Sequence, residues 1–325
     1  MVAVRGQRRT LPELSEELFL DIGDSATKRW RFAVLLILAA VIATTGLLAD
    51  STATVIGAMI VAPLGVPIIG TALGIVIADG RRLVASVVTV LLGGAAVVVI
   101  GWLLAAVLPD IVPITRNSQV SSRTSANLID LVTAIATGFA GAFGLARKDV
   151  SDVMPGVAIA ISLVPPLAVV GITLQAGDPN GAFGALELFA SNMLAMIVSG
   201  SILFTAYGYA NEARESPHFK RSLAYGVVAV ATILIAIPLT ITTVDTVDRL
   251  TVVGNAKAIA DDWAGTEATV IDVAFKGANL EFVIEDLDVL PPVDLPAVLA
   301  EAVPRGTPVV VNRVGGERSE LGPVP

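Results

Sequence analysis

The sequence predicts an all-α polytopic membrane protein with seven transmembrane helices, two inverted three-helix repeats and a small C-terminal soluble α/β domain. Three observations predict this fold class: long apolar stretches, a weak repeat spaced 99 residues apart, and an unevenly distributed charge. The 325 residues are 54% hydrophobic and 15% charged, with a mean hydropathy of +0.80. Soluble domains carry about 25% charged residues, so the composition favours a membrane protein.

Seven apolar stretches meet or approach the length of about 20 residues that a helix needs to cross hydrocarbon. They are residues 32–49, 53–78, 83–108, 127–146, 153–175, 183–209 and 222–243. The stretch 127–146 is the weakest. The first is too long for the core of a cleavable signal peptide, so we expect it to stay in the protein.

Basic residues predict the orientation. If residues 1–31 are cytoplasmic, thirteen arginines and lysines fall on the cytoplasmic side, whereas only Arg116 and Arg123 fall outside. This bias follows the positive-inside rule. We therefore expect a multi-pass protein of the plasma membrane with a cytoplasmic N-terminus. Seven crossings then place the residues from 244 onward outside the cell.

The predicted domains follow from these spans. They are a cytoplasmic segment with an amphipathic helix (1–31), a first repeat (32–108), an external loop (109–126), a second, inverted repeat (127–209), a cytoplasmic loop with the seventh helix (210–243) and an acidic extracytoplasmic domain (244–325). The last of these holds 14 acidic and 6 basic residues, which accounts for the whole net charge of −8.

The sequence patterns near the two ends of the chain predict local secondary structure. Residues 10–21 predict a short helix in which Thr10 and Glu13 form a capping box; it lies along the interface or packs on the membrane domain. The tail predicts an α-β-β-α-β order. Its elements are a helix near 247–264, strands 267–275 and 280–286, a helix at 294–303 with Asp294 as cap and Pro296 in its first turn, and a strand 308–314.

Alternation predicts which side chains of the first two tail strands share a face. These are Thr269, Ile271, Val273 and Phe275, and then Leu280, Phe282 and Ile284. The element order resembles small ligand- or lipid-binding modules of bacterial envelopes. A folded cap without a ligand is the alternative.

The repeat aligns two segments without a gap. Its matched pairs are Asp50 and Asp149, Gly57 and Gly156, Pro67 and Pro166, Asp79 and Asp178, and Gly101 and Gly200. A chance match is the alternative, because overall identity is low and glycine is common. Each unit holds three spans, and an odd number of crossings inverts the second unit. Loop charges agree, because Arg81 and Arg82 of the first unit correspond to the uncharged Asn180 and Gly181.

Prolines interrupt one span in each unit. Pro63, Gly65 and Pro67 lie in the first unit, and Pro165 and Pro166 lie in the second. Proline removes a backbone donor, and freed backbone groups within a membrane are tolerated where protein covers them or a cavity lies beside them. Paired broken helices form the substrate site in several transporters. The alternative is that the prolines only kink well-packed helices.

Few other polar residues lie within the spans. The further pathway candidates are Ser162, Glu187, Ser191 and Asn192. Asn192 either lines a pathway or joins helices through hydrogen bonds. Asp50 and Asp149 precede the broken helices and act either as N-caps or as residues at the two mouths of a pathway.

Enzymatic chemistry has little support. The single histidine, His218, lies in a charged loop, and the sequence contains no phosphate-binding glycine loop, no metal-ligand cluster and no nucleophile–base pair. Cysteine is absent, which excludes thiolate chemistry. We expect no cofactor, no metal and no nucleic-acid partner. The expected partners are the lipid bilayer and a small ion or polar solute, and a homo-oligomer is left open.

Three stretches resemble a bacterial membrane family, the uncharacterised hydrophobic domain or domain of unknown function 389. They are GLLADSTATVIGAMIVAPLGVPIIG (46–70), GVAIAISLVPPLAVVG (156–171) and LFASNMLAMIVSG (188–200). The resemblance covers about 32–209 and leaves out the acidic tail. It implies that the two proline motifs belong together, and it supplies no activity, substrate or catalytic residue.

The sequence thus supports two hypotheses about function. The first is a transporter or channel for a small ion or polar solute, with a pathway at mid-membrane formed by the two broken helices. The second is a membrane platform that transports nothing and whose acidic outer domain senses or binds an envelope partner.

Overall fold

The computed structural model describes residues 7–108, 117–124, 128–150, 163–213, 248, 251–264, 268–276, 279–285, 295–313 and 318–323. Two compact units divide the chain, Met1–Thr240 and Ile241–Pro325, and each is described by itself. The predicted seventh span, 222–243, and the predicted cap Asp294 lie outside the described residues.

The first unit is entirely helical in its described part, apart from one isolated backbone bridge. Its helices are α1 (Leu11–Leu18), α2 (Ser25–Leu48), α3 (Thr52–Val61), α4 (Gly65–Val76), α5 (Gly80–Val107), α6 (Ser118–Ser121), α7 (Leu128–Ala146), α8 (Val164–Gln175), α9 (Pro179–Ala206) and α10 (Tyr209–Ala213).

Long apolar helices identify this unit as membrane-embedded. Within the described residues, four helices are long and apolar enough to cross a bilayer, namely α2, α5, α7 from Ile129 onward, and α9. The bent pair α3–α4 brings the number to five if it counts as one span. The weak stretch 127–146 therefore does form a helix of spanning length. The predicted count of seven stays a prediction, because α8 alone is short and 151–162 lie outside the described part.

Two helix-to-helix turns have the same construction. After α4, Ala78 adopts a left-handed φ of 54°, and after α8, Gly177 adopts a φ of 75°. The aspartate that follows each of them caps the next helix: Asp79 accepts a hydrogen bond from the backbone of Arg82 at 3.1 Å, and Asp178 accepts one from Gly181 at 2.9 Å. Such capping fixes where α5 and α9 begin.

Helix α1 packs on the membrane unit. The predicted capping box is present, with the Thr10 backbone N–H donating to Glu13 at 2.9 Å. Leu14 and Leu18 are fully buried and belong to the same core as the spanning helices. Of the two alternatives for this helix, packing on the membrane domain is therefore correct.

The most buried helices of the unit are α4 and α8. Small residues let their neighbours approach closely. A Cβ added at Gly171 of α8 would collide with the Val98 carbonyl oxygen and lie 3.0 Å from the Gly101 carbonyl carbon of α5. A Cβ added at Gly200 of α9 would lie 3.0 Å from the Cβ of Ala72 in α4. Close contacts of this kind hold membrane helices together.

The second unit is a small α/β domain. A helix at residues 251–264 precedes β1 (Thr269–Lys276) and β2 (Asn279–Glu285), and a helical turn (Leu295–Val298, then 3₁₀ at Leu299–Glu301) precedes β3 (Pro308–Arg313) and β4 (Arg318–Pro323). The sheet order is β1-β2-β3-β4, with β2 and β3 parallel. The predicted order is found, but the sequence analysis missed β4.

The predicted face of β1 is wrong before residue 272 and correct after it, where Val273 and Phe275 pack into the core. Its register shifts between Val270 and Asp272, and such a bulge breaks the alternation of side chains. Val270 and Val273 are therefore buried, whereas Ile271 is 46% exposed. The partner strand β2 has no such shift, and the predicted face of Leu280, Phe282 and Ile284 is fully buried.

A first prediction tests the close packing of α8. Replacing Gly171 with alanine should destabilise the protein by about 1–3 kcal/mol, because the backbone of α5 cannot yield easily to the added methyl group. The matched control is Gly80→Ala, at the exposed first position of α5, where an added Cβ meets no described atom within 4 Å. Thermal unfolding in detergent measures both. Equal midpoints would contradict the packing described above.

Candidate functional site

The break between α3 and α4 lies in the segment that the proline motif marked. Helix α3 ends where Ala62 turns extended, and α4 leaves at an angle of 48°. Neither Pro63 nor Pro67 has an N–H to donate. The Pro63 carbonyl, which would pair with an N–H at position 67, accepts instead from Val66 at 3.3 Å, and the Pro67 carbonyl accepts from the Thr71 hydroxyl at 2.9 Å.

The second proline pair lies at the start of α8, where Pro166 is the third residue, as Pro67 is the third residue of α4. Pro165 and Pro166 lie in the first turn of α8, where a missing N–H costs little. Both are buried, as is Leu163 before them. Ser162, the predicted polar ligand, lies outside the described residues together with the rest of 151–162.

The polar candidates of α9 differ in exposure. Asn192 is buried, whereas Glu187 and Ser191 are half-buried. Helix α9 packs against α4, α7 and α8. The structure thus brings the helix that carries these side chains against both helices of the proline motifs.

Asp50 lies in the turn between α2 and α3, and it does not cap α3. The N-cap is Ser51, whose Oγ accepts from the backbone N–H of Thr54 at 3.4 Å, so a capping role for Asp50 is wrong. Asp50 instead accepts hydrogen bonds from the Gln119 backbone N–H at 2.9 Å and the Ser118 hydroxyl at 2.8 Å. These bonds, that of Gln119 first, lower the pKa of Asp50.

Two amides hold the same turn. Asn117 Nδ2 donates to the Leu47 carbonyl at 2.7 Å, and Gln119 Nε2 donates to the Thr52 hydroxyl at 2.8 Å. We call these contacts, together with those of Asp50, the 117–119 clamp. The clamp ties the segment before α7 to the end of α2.

A second clamp joins the N-terminal segment to the end of α7. The Lys148 N–H donates to the Gln7 carbonyl, and the Arg9 N–H donates to the Ala146 carbonyl, both at 2.8 Å. We call the contacts of residues 7–9 with 145–148 and 207–212 the N-terminal clamp. Each clamp binds the turn that follows a long helix, which is α2 for the 117–119 clamp and α7 for the N-terminal clamp.

Side chains extend the N-terminal clamp to the end of α9. Arg8 forms an ion pair with Glu212, donates to the Tyr207 carbonyl and lies 4.5 Å from the centre of the Tyr209 ring. The Tyr209 hydroxyl donates to the Arg9 carbonyl at 2.7 Å. Burial raises the pKa of Tyr209 to about 12, so this hydroxyl keeps its proton at neutral pH.

Asp149 lies at the rim of an open, charged cavity of about 890 Å³ next to this clamp. The cavity is lined by Arg9, Glu13, Glu16, Glu17, Lys28, Lys148, Asp149 and Val150. Arg147 binds the Asp149 carboxylate through two hydrogen bonds of 2.6 and 2.7 Å and lowers its pKa. In the part of the chain that the structure describes, no three carboxylate or histidine side chains are grouped as a metal site.

Sequence reasoning missed both clamps. Asn117 carried a usable signal, because asparagine is a favoured N-cap and its side chain does accept from the Val120 N–H at 2.9 Å. The N-terminal clamp carried none, because its long-range side-chain bonds join residues 136 or more positions apart.

A second prediction concerns pH. Lys148 donates to Glu13 at 2.7 Å, and this bond, followed by the bond from the Thr10 backbone, lowers the Glu13 pKa from 4.5 to about 2. Because the folded-state pKa is lowered, the stabilisation is complete above about pH 4.5 and is lost as the pH falls towards 2.

Hydrogen exchange, corrected for intrinsic rates, should therefore speed up in α1 between pH 6 and pH 3. The matched control is Glu13→Gln, which removes the titrating group and should remove this pH dependence. The same acceleration in wild type and variant would contradict the assignment.

The comparison with known protein families covers the segment that contains both proline motifs. Residues 59–198 match the family model described as Domain of unknown function (DUF389). An uncharacterized protein of Methanocaldococcus jannaschii is 33% identical over 195 residues, and the chain spans 60% of that relative's length and 60% of its own. No solved structure matches the chain. The family-model match confirms the predicted resemblance to DUF389 over residues 59–198.

Proposed function

We propose that this protein is a transporter or channel for a small ion or small polar solute, built from two inverted repeats with a broken helix in each. The observation that carries the proposal is that two pairs of helices have the same limits at a shift of 99 residues. Gly65–Val76 corresponds to Val164–Gln175, and Gly80–Val107 corresponds to Pro179–Ala206. Inverted repeats with paired broken helices are a recurring architecture of transporters.

Packing between the two proposed repeats supports this architecture. Gly101 contacts Gly171, and Gly200 contacts Ala72. Gly101 and Gly200 correspond at the same shift, and so do Ala72 and Gly171. Helix α5 therefore crosses α8, and α9 crosses α4, at equivalent points of the two proposed repeats. A two-fold axis between the repeats would produce this relation.

Helix directions support the inversion. Helix α5 begins near α1, with Arg82 5.2 Å from the centre of the Phe19 ring. Helix α9 ends at the same face, where Arg8 binds the Tyr207 carbonyl. Helix α2 begins and α7 ends at this face as well. Corresponding helices thus run in opposite directions.

Charge supports a cytoplasmic location for this face. Its described basic residues include Arg8, Arg9, Lys28, Arg29, Arg31, Arg81, Arg82, Arg147 and Lys148, whereas the opposite face carries Arg123. The positive-inside rule then orients the N-terminus towards the cytoplasm. On this orientation the N-terminal clamp closes the cytoplasmic side, and the 117–119 clamp closes the outer side.

The two clamps suggest how access could alternate. Helix α2 has 24 residues and is about 36 Å long, so the clamps lie at opposite ends of the spanning unit. Both are closed in this structure. In the proposed cycle, one clamp opens at a time, and the central helices α4 and α8 are exposed to one side and then to the other.

A third prediction tests for a water-filled path. The chain has no cysteine, so single cysteines can be placed at Asn192 and Ser191 in an otherwise unreactive protein. A charged, membrane-impermeant thiol reagent should label these positions in intact cells or in inverted vesicles. The side that gives labelling identifies the side to which the path opens.

Two control positions make this labelling interpretable. Ala134 is fully buried in α7, and Leu92 is 68% exposed on the apolar outer surface of α5. Neither should be labelled, the first because it is packed and the second because it faces lipid. Protection of Asn192→Cys and Ser191→Cys from both sides in folded protein would contradict transport. That result would favour the alternative hypothesis, in which the acidic C-terminal domain senses or binds an envelope partner.

A fourth prediction tests the N-terminal clamp. Glu212→Gln weakens the pair with Arg8 and the bond that Glu212 accepts from the Leu11 backbone. Hydrogen exchange at residues 8–14 and 145–148 should rise about threefold to tenfold, as expected for the loss of about 1 kcal/mol. The control Glu17→Gln removes a charge from α1 outside the clamp and should change little. Equal exchange in both variants would argue against a clamp that depends on this pair.

A further inference from the structure

A cavity of about 470 Å³ lies between α2 and α5 on the outer surface of the spanning unit. Its floor reaches Pro67 of the broken helix. Small residues create the space, above all Ala33, Gly93 and Ala96. We call this cavity the α2–α5 groove.

The groove has the length of one leaflet. Its lining on α5 runs from Ala85 to Ala96, which is about 16 Å of helix against about 15 Å for half the hydrocarbon thickness. The apolar side chains at its edge are exposed, as in Ile37 and Leu92. On a spanning helix such side chains face lipid, so the groove opens to acyl chains.

The end of the groove at the start of α2 is charged. Asp21 and Arg29 both line it, one acidic and one basic. Neither forms an ion pair or a side-chain hydrogen bond with another residue in the described part of the chain. This end therefore presents an open carboxylate and an open guanidinium next to an apolar channel.

We propose that the α2–α5 groove binds one zwitterionic aminophospholipid of the phosphatidylethanolamine type. One acyl chain fills the apolar channel, Arg29 binds the phosphate, and Asp21 accepts hydrogen bonds from the primary ammonium. Guanidinium groups suit phosphate, and an ammonium with three N–H donors suits a carboxylate. A choline headgroup lacks these donors, and a glycerol headgroup lacks the positive charge.

The bound chain also contacts the broken helix. Since Pro67 is part of the groove floor, an acyl chain in the groove covers one side of the bend in α3–α4. The site is independent of the transport proposal, because it requires only that α2 and α5 face lipid.

Native mass spectrometry of the full chain in detergent tests the proposal with three lipids of identical acyl chains, carrying ethanolamine, choline or glycerol headgroups. The ethanolamine lipid should bind most tightly. Asp21→Asn should abolish its preference over the glycerol lipid. Arg29→Gln should weaken all three lipids about tenfold, because each carries the phosphate and the variant loses a charge-assisted hydrogen bond to it.

Filling the groove provides the matched pair of variants. Ala33→Phe places a ring in the groove and should weaken all three lipids, whereas Ala95→Phe, at an exposed position of α5 outside the lining, should not. Melting curves of both variants check their folding. Equal binding of the three lipids by the wild type would overturn the headgroup assignment. Equal binding by the two phenylalanine variants would overturn the location.

Discussion

The structure depends on one constraint: within hydrocarbon, a backbone group that loses its helical partner has no water to replace it. The helices α4 and α8 carry prolines in their first turns, and these helices are the ones that protein surrounds most completely. In α4, every residue from Gly65 to Ile75 except Val66 is buried, and in α8 every residue from Val164 to Thr173 is buried. The long helices α5 and α9 pack against them and separate them from lipid.

This arrangement requires small residues at the crossings. Gly101 and Gly171 allow the backbones of α5 and α8 to touch, and Gly200 brings α9 onto Ala72 of α4. Van der Waals packing replaces the hydrophobic effect as the force between membrane helices, so the contact area at these crossings decides whether a broken helix can stay at the centre. The glycines and the prolines therefore act together, because the glycines allow the close packing that covers the helices with prolines.

The sequence predicted those features that a short stretch of residues determines. Helical content, the capping box at Thr10 and the alternation of β2 all depend on neighbouring residues, and all were found. Prediction failed where distant residues decide. The first half of the predicted β1 face was wrong because a bulge at Val270–Asp272 shifts its register. Asp50 does not cap α3, and segment 117–119 binds it instead. The strand β4 ends in Gly322 and Pro323, residues that are untypical of strands.

The central crossings and the clamps differ in which contacts hold them, and this difference explains which parts of the proposed transporter could move. The central crossings join backbones in close contact, and separating them would remove the packing that covers α4 and α8. The clamps are hydrogen bonds and ion pairs near the ends of the unit, where water can replace each bond at a net cost of about 0.5–1.5 kcal/mol. A conformational change therefore costs least if it opens a clamp and leaves the crossings intact. Because the clamps bind opposite ends of the unit, opening one leaves the other closed, which is the condition for moving a solute across the membrane without forming a continuous leak.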